Sequence, residues 1–280
     1  MTSSRERQQR ATARARLARE MAERQAAAKK RRQYKLIGAA AGAVLVVLLG
    51  TVWAVGAFDG DDEPVDPVAQ ESPTPAPEPV ISGDCEWLPE TTGENPNLRE
   101  VGTPEVGDPP TGPAQMTIIT NHGVIEVEMD AEQIPCTYAS FVHLSEQGFY
   151  DDTPCHRLTS QEGLYVLQCG DPTGTGSGGP TYRYAEENLP EGAEVTYPRG
   201  TVAMAKAQPP ASTGSQFFLV YDDTPIPPLY TVVGQITEGL EIVEAIAEAG
   251  ASDATGLPTQ DGSPINPVII ESLRVTPPEA

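Results

Sequence analysis

Apolar and polar positions alternate most clearly between Met116 and Met129. Met116-Thr117-Ile118-Ile119-Thr120 and Val124 to Met129 flank the turn Asn121-His122-Gly123, and in the second run Ile125, Val127 and Met129 alternate with Glu126 and Glu128. Successive strand side chains point to opposite faces, so this pattern predicts a β-hairpin with one buried face. Pro135 then precedes a stretch, Cys136 to Gln147, in which Tyr138, Phe141, Val142 and Leu144 or Ser145 recur at helical spacing until Gly148 stops it. A second amphipathic helix is predicted after Gly239, with Ile242, Val243, Ile246 and Ala249 on one face and Gly250 at its end. Further strands are predicted at Cys155 to Leu158, Leu164 to Cys169, Thr201 to Ala205, Gln216 to Tyr221, Thr231 to Gln235 and Val268 to Val275. The fold class is therefore mainly β. About eight strands and two helices suit a closed eight-stranded antiparallel barrel capped by the two α-helices, because closure leaves no unpaired edge.

Upstream of about Gln115 the pattern changes. Leu36 to Phe58 is a run of 23 residues without a charge. As a helix it extends about 35 Å, enough to cross a hydrocarbon layer of about 30 Å with some tilt. A cleavable signal peptide is the alternative, since Val55-Gly56-Ala57 resembles a small-residue cleavage site; the 35-residue charged leader and the length of the apolar run favour a retained transmembrane helix. Lys29, Lys30, Arg31, Arg32 and Lys35 precede this span, and Asp59, Asp61, Asp62 and Glu63 follow it. That asymmetry predicts a single-pass protein of the cell membrane, with a cytoplasmic N terminus and the rest outside.

Charge divides the chain at the same place. Residues 1–35 carry 12 basic side chains and three acids, a net +9, while the remainder carries 6 and 37, a net −31, together giving −22. The folded part is a poor nucleic-acid binder, because phosphate contacts need Lys and Arg that it lacks. The basic arm reads as a topology signal at anionic lipid heads, with RNA contact as the alternative. Residues 59–113 hold 12 Pro and 14 acids against the single base Arg99, a composition that buries too little apolar surface to offset its ordering entropy. The predicted organisation is a basic cytoplasmic arm (1–35), a transmembrane helix (36–58), an acidic Pro-rich disordered linker (59–113) and a folded domain (114–280).

Candidate chemistry is sparse. Gly174-Thr175-Gly176-Ser177-Gly178-Gly179 fits G-x-G-x-x-G, but Pro180 and Tyr182-Arg183-Tyr184 follow where a phosphate loop needs a helix N-terminus. There is no G-x-S-x-G elbow, and His122, His143 and His156 lack zinc spacing, so neither a metal nor another cofactor is expected. His156 reads as a satisfied core histidine rather than a base. Cys85, Cys136, Cys155 and Cys169 all lie beyond the span, which points to two disulfides in an oxidising compartment, with three connectivities open. A bond from Cys85 would staple the end of the spacer onto the domain.

Four segments stand out together: Cys155-His156-Arg157-Leu158, Gln168-Cys169-Gly170-Asp171, Met204-Ala205-Lys206-Ala207 and Gly214-Ser215-Gln216-Phe217-Phe218. In order and approximate spacing they resemble the signature segments of the cyclophilin family of peptidyl-prolyl isomerases, over roughly residues 115 to 276. The chain as a whole looks like the single-pass, externally facing cyclophilins of high-GC bacteria. The resemblance implies that Arg157 is the catalytic arginine, Gln168 the active-site glutamine and Phe218 the proline-pocket phenylalanine. It further implies that Tyr165 and Val166 help to grip the proline ring and that Ala205, Lys206 and Ala207 hold the substrate backbone. Gln216 takes the pocket-side glutamine position, and Tyr230 takes one where the family usually has His. Tyr165 and Val166 replace the usual Phe and Met after an insertion around Ser160 to Gly163, Lys206 replaces Asn, and the Trp linked to cyclosporin binding falls at Pro225 or Ile226.

The implied partners are proline-containing, unfolded or flexible polypeptides, and the implied reaction is X-Pro isomerisation during folding of exported proteins. A non-catalytic module that binds proline-containing segments is the alternative. If Arg157 and Gln168 face one groove on adjacent strands, alternation puts Cys155 on the groove side and Cys169 on the opposite one, so a Cys155–Cys169 bond is disfavoured unless a bulge intervenes.

Overall fold

The computed structural model describes residues 78–277 apart from 94, 108–110 and 193–195. The predicted basic arm, the predicted span and the linker as far as residue 77 lie outside the described residues. Among the described residues, no helix is long and apolar enough to cross a membrane.

Three short strands come first: β1 (Val80–Ser82), β2 (Cys85–Pro89) and β3 (Leu98–Arg99). The predicted hairpin follows as β4 (Ala114–Thr120) and β5 (Gly123–Met129), then α1 (Pro135–Glu146). Next are β6 (Thr153–Pro154), β7 (Arg157–Gln161), β8 (Leu164–Cys169), β9 (Gly179–Pro180) and β10 (Tyr182–Arg183). The chain continues through β11 (Thr201–Lys206), β12 (Thr213–Val220), β13 (Val232–Glu238) and α2 (Leu240–Ala249). It ends in β14 (Ala251–Ser252), β15 (Pro258–Thr259), β16 (Asp261–Pro264) and β17 (Ile269–Thr276).

Mainly antiparallel β structure with two helices is what the periodicity predicts. Eight strands pair in the order β7-β8-β12-β11-β13-β5-β4-β17; β6 follows β17 at one edge, and β16, β14 and β15 extend the other. Between β6 and β7 only Cys155 and His156 intervene, and neither joins a ladder. The sheet therefore curls back towards its first strand without a ring of strand pairing. One backbone hydrogen bond, Cys155 N to Val268 O at 2.9 Å, spans that step.

The same irregular step corrects the disulfide expectation. Cys155 is bonded to Cys169 and Cys85 to Cys136. The parity argument needs continuous alternation from Arg157 back to Cys155, but β7 begins only at Arg157. Released from the strand, Cys155 turns into the core beside Cys169, both nearly fully buried, while Arg157 stays half-exposed.

The linker boundary also moves. From Val80 onwards the chain packs on the domain: β2 pairs with β10, β3 runs parallel to β9, and Trp87 is 0% exposed. Its ring meets Tyr182 and Tyr184 edge-on at 5.3 Å each. The composition of 59–113 conceals this because the segment's order comes from one large aromatic and one covalent bond rather than from a periodic apolar face.

Helix α1 starts on Pro135 with no side-chain cap of its own. Its exposed amides are met from a distance by Glu187, whose carboxylate accepts from Cys136 N at 3.0 Å, Thr137 N at 2.8 Å and Thr137 Oγ1 at 2.8 Å. A carboxylate suits a helix N-terminus through both the free N–H groups and the dipole. Phe141 and Leu144 of α1 and Val243 and Ile246 of α2 enter the main apolar core with Met116, Ile125 and Phe217. A second, smaller cluster of Val166, Tyr197, Ala203, Phe218 and Val220 lies apart from it, and its Val166 and Phe218 line a cleft.

Candidate active site

Arg157, Gln168 and Phe218 occupy one row across three adjacent strands. Arg157 on β7 is the cross-strand partner of Gln168 on β8, and Gln168 is the partner of Phe218 on β12. Directly opposed residues in an antiparallel ladder share a face, so the backbone register alone brings a cation, an amide and an aromatic ring to one surface.

A chain of hydrogen bonds fixes this row. Arg157 donates from Nε to Asp261 Oδ1 at 2.7 Å, from Nη2 to Asp261 Oδ2 at 2.8 Å and from Nη1 to Gln168 Oε1 at 3.3 Å. Gln168 Nε2 donates to Gln216 Oε1 at 2.8 Å, and Gln216 Nε2 donates to the carbonyls of Gly176 at 3.1 Å and Gly178 at 3.0 Å. The hydrogen bond from Arg157 holds the Asp261 carboxyl below the usual range, and the same bond raises the Arg157 guanidinium. Both groups are therefore ionised at neutral pH.

Arg157 and Gln168 border a cleft of ≈ 310 Å³ whose apolar wall is Leu164, Val166, Phe218, Ile226, Pro227 and Tyr230. Tyr230 is oriented by Tyr197: its N–H donates to the Tyr197 hydroxyl at 3.1 Å, which donates to Tyr230 O at 3.0 Å. A compact apolar slot with one cation and one amide at its edge suits a small hydrophobic ring attached to a polar backbone.

Ala205 and Lys206 form the rim between this cleft and an adjoining groove of ≈ 390 Å³. The β11–β12 register shifts between Met204 and Lys206, so the rim falls where the ladder is irregular. Lys206 Nζ lies 2.7 Å from Glu186 Oε1, with both side chains about nine-tenths buried. Burial acts to raise the Glu186 carboxyl, but Lys206 and the Ala211 N–H outweigh it and the net shift is downward.

The Gly-rich run is a wall of the groove wrapped around Asp171. That carboxylate, 0% exposed, accepts from the N–H groups of Thr173 at 2.7 Å, Gly176 at 2.6 Å and Gly178 at 3.0 Å and from the Thr173 hydroxyl at 2.8 Å. Burial pushes its pKa up, yet these donors bring it below the ordinary value. Gly170 just before it has φ +88°, and a Cβ there would run into the Ser215 carbonyl oxygen and come within 3.0 Å of Gln216 Cα, so only glycine lets β8 leave the sheet this close to β12.

Of the residues singled out from the sequence, Arg157, Val166, Gln168, Ala205, Lys206, Phe218 and Tyr230 line the cleft. Ala207 and Gln216 line the adjoining groove. Tyr165 is a correction: alternation along β8 turns Val166 and Gln168 to the cleft and Tyr165 to the other face, where its ring meets Tyr221 at 6.0 Å. Leu164, one residue earlier, supplies the apolar contact instead. His156 departs from the expected satisfied core histidine: among the described residues its buried Nδ1 has no hydrogen-bond partner, its ring lies beside Gly176, and burial lowers its pKa. Asp261 was missed, and no short-range signal marks it, since it lies 104 residues from the arginine it binds.

The comparisons with known proteins name one family. Residues 115–275 match the family model described as cyclophilin type peptidyl-prolyl cis-trans isomerase/CLD. The chain is 42% identical over 205 residues to "Probable peptidyl-prolyl cis-trans isomerase B" of Mycobacterium tuberculosis, an alignment covering 69% of this chain and 64% of that protein. A Mycobacterium leprae protein of the same name is 42% identical over 204 residues, covering 69% of this chain and 66% of its own length. "Peptidyl-prolyl cis-trans isomerase A" of M. tuberculosis is 34% identical over 189 residues, covering 61% of this chain and 97% of that protein. With a family model matched over more than half its length and a row of cation, amide and aromatic ring on one face of a curled antiparallel sheet, the chain belongs to the cyclophilin type peptidyl-prolyl cis-trans isomerase family.

Proposed function

We propose that this chain is a peptidyl-prolyl cis-trans isomerase that acts on proline-containing segments of flexible polypeptides. The observation that carries the reading is the placement of the Arg157 guanidinium, Gln168 and Phe218 at a single apolar cleft. An X-Pro bond resists rotation by about 18–20 kcal/mol because twisting breaks amide resonance, and uncatalysed exchange takes tens of seconds or more. In the twisted state the imide nitrogen recovers its lone pair and can accept a hydrogen bond that the planar ground state cannot. A fixed guanidinium edge therefore binds the transition state better than the substrate, which is the condition for catalysis. Val166, Phe218 and Tyr230 hold the ring while Gln168 and the backbone near Lys206 hold the flanking amides, so that one side turns against a fixed partner.

In this reading the curled sheet acts as a barrel closed through Cys155 and His156. The uncharged run 36–58 anchors the chain in the cell membrane with the folded unit outside, and the clients are exported proteins. The two disulfides suit an oxidising compartment.

The test is exchange of a proline-containing peptide followed by NMR with the full-length protein in detergent. Wild type should accelerate exchange, and Arg157→Ala should lose about 100-fold or more of kcat, as when one transition-state donor is removed. Wild type no faster than Arg157→Ala, with peptide binding intact, would instead identify a binding module.

A further inference from the structure

The carboxylate that holds Arg157 comes from an element outside the row of strands that builds the cleft. After α2, strands β14, β15 and β16 form a small antiparallel annex at the sheet edge, and β16 joins β7 through Asp261↔Thr159 and Gly262↔Leu158. Arg157 is two residues from Thr159 on the same face, which makes it the diagonal neighbour of Asp261 and within reach of a long side chain. Gly262 permits this docking: a Cβ there would run into the Ser252 carbonyl oxygen and lie 2.6 Å from Thr259 Cγ2.

We propose that Asp261 is a positioning residue for the isomerisation, gripping the Nε/Nη2 edge of Arg157 so that its Nη1 edge is held toward the cleft; this rests on the isomerase reading. The guanidinium has five N–H donors in a fixed plane. Two are taken by the Asp261 oxygens at 2.7 and 2.8 Å and one by Gln168 at 3.3 Å, which leaves two, one on Nη1 and one on Nη2, on a guanidinium that lines the same cleft as Phe218 and Tyr230. A bidentate carboxylate fixes the plane as well as the position of the group, which a single contact to Gln168 does not. An arginine free to sample its rotamers would have to be ordered at the moment the imide twists, whereas the clamped one is ordered on folding. Arg157 and Asp261 are 38% and 34% exposed, a setting in which ion pairs add little to stability, so the pair is read as serving orientation rather than holding the annex in place.

The experiment is a double-mutant cycle in the full-length protein, with kcat and KM measured on a proline-containing peptide for wild type, Asp261→Asn, Arg157→Ala and the double variant, and Tm recorded for each. Asp261→Asn should lower kcat roughly tenfold with KM changed by less than about twofold. It should add nothing in the Arg157→Ala background. Asp261→Glu, which keeps the carboxylate, should lie above Asp261→Asn in kcat. An unchanged or raised kcat, a loss confined to KM, an equal loss in the Arg157→Ala background or an equal loss for the Glu variant would each overturn the assignment. Failure of the isomerase reading itself is distinct, since it would appear as wild type no faster than Arg157→Ala.

Discussion

Tyr230 meets Phe218 edge to face, with ring centroids 5.5 Å apart and planes at 85°. Both rings line the cleft, and Tyr197 approaches each of them edge-on from beneath, at 6.4 Å from Phe218 and 6.3 Å from Tyr230. The slot is thus an aromatic corner whose outer wall is Tyr230. Its backbone, not its hydroxyl, makes the bonds to Tyr197. Tyr230→Phe should leave peptide binding unchanged. Tyr230→Ala removes a ring contact worth about 1 kcal/mol and should raise KM roughly fivefold with a smaller effect on kcat. Steady-state kinetics on one proline peptide checks both.

The loop over Asp171 should be sensitive to a single charge. Asp171→Asn replaces an acceptor of several N–H and O–H groups with an amide that brings two donors of its own into the same space. Bonds to a buried charge are worth about 1.5–3 kcal/mol each, and some survive in the amide, so an overall loss of about 3 kcal/mol is expected. Because Gln216 is held by the carbonyls of Gly176 and Gly178, kcat should fall as well. Urea denaturation beside an exchange assay reads both effects.

Stability should decline in mild acid through His156. Burial lowers its pKa below 6.5, with Arg157 adding to the shift and Asp171 opposing it. The unfolded chain therefore takes up a proton below about pH 6.5 that the folded chain refuses, so this contribution is complete above that pH and is lost as pH falls toward the folded value. One proton limits the slope to about 1.4 kcal/mol per pH unit. Urea midpoints at pH 7.5 and 5.5 should differ for wild type and differ less for His156→Gln.

The N-terminal strap should be part of the folding unit. A fragment starting at Gln115 lacks Trp87, uncovers Tyr182 and Tyr184 and leaves Cys136 unpaired. It should melt well below a fragment starting at Glu78. Within the full chain, Cys85→Ser opens a 51-residue loop and Cys155→Ser a 14-residue one. On the chain-entropy account these amount to about 4 and 3 kcal/mol, so Cys85→Ser should lower Tm more. The reverse order would show that strain or residual structure outweighs loop length.

Local patterning carried most of the fold. The hairpin, both helices and β8 are found at the predicted positions; in β5 and α2 the periodicity records one buried face, whereas β8 buries Leu167 and Cys169 on one side and Val166 on the other, and α1 buries Thr137, Ala139 and Ser140 beside the expected Phe141 and Leu144. Cys155 defeated the same reasoning, since alternation holds only inside a strand and nothing local marks the two-residue break before Arg157. Tyr165 failed in the opposite way: the family position was carried over, whereas parity within β8 already turns it away from Gln168. Asp261 and Trp87 matter through partners far along the chain, and a composition rich in Pro and acids hid the second.

The Cys85–Cys136 bond also decides where tension would travel. A pull on the chain before Val80 meets three β1–β2 rungs and then a covalent link into the first turn of α1. The load is diverted there, so the strap that follows Cys85 stays slack and β7, β8 and β12 are spared. Should the proposed anchor hold the chain, a client dragging against it would strain the helix end, while the cleft on β7, β8 and β12 keeps its shape.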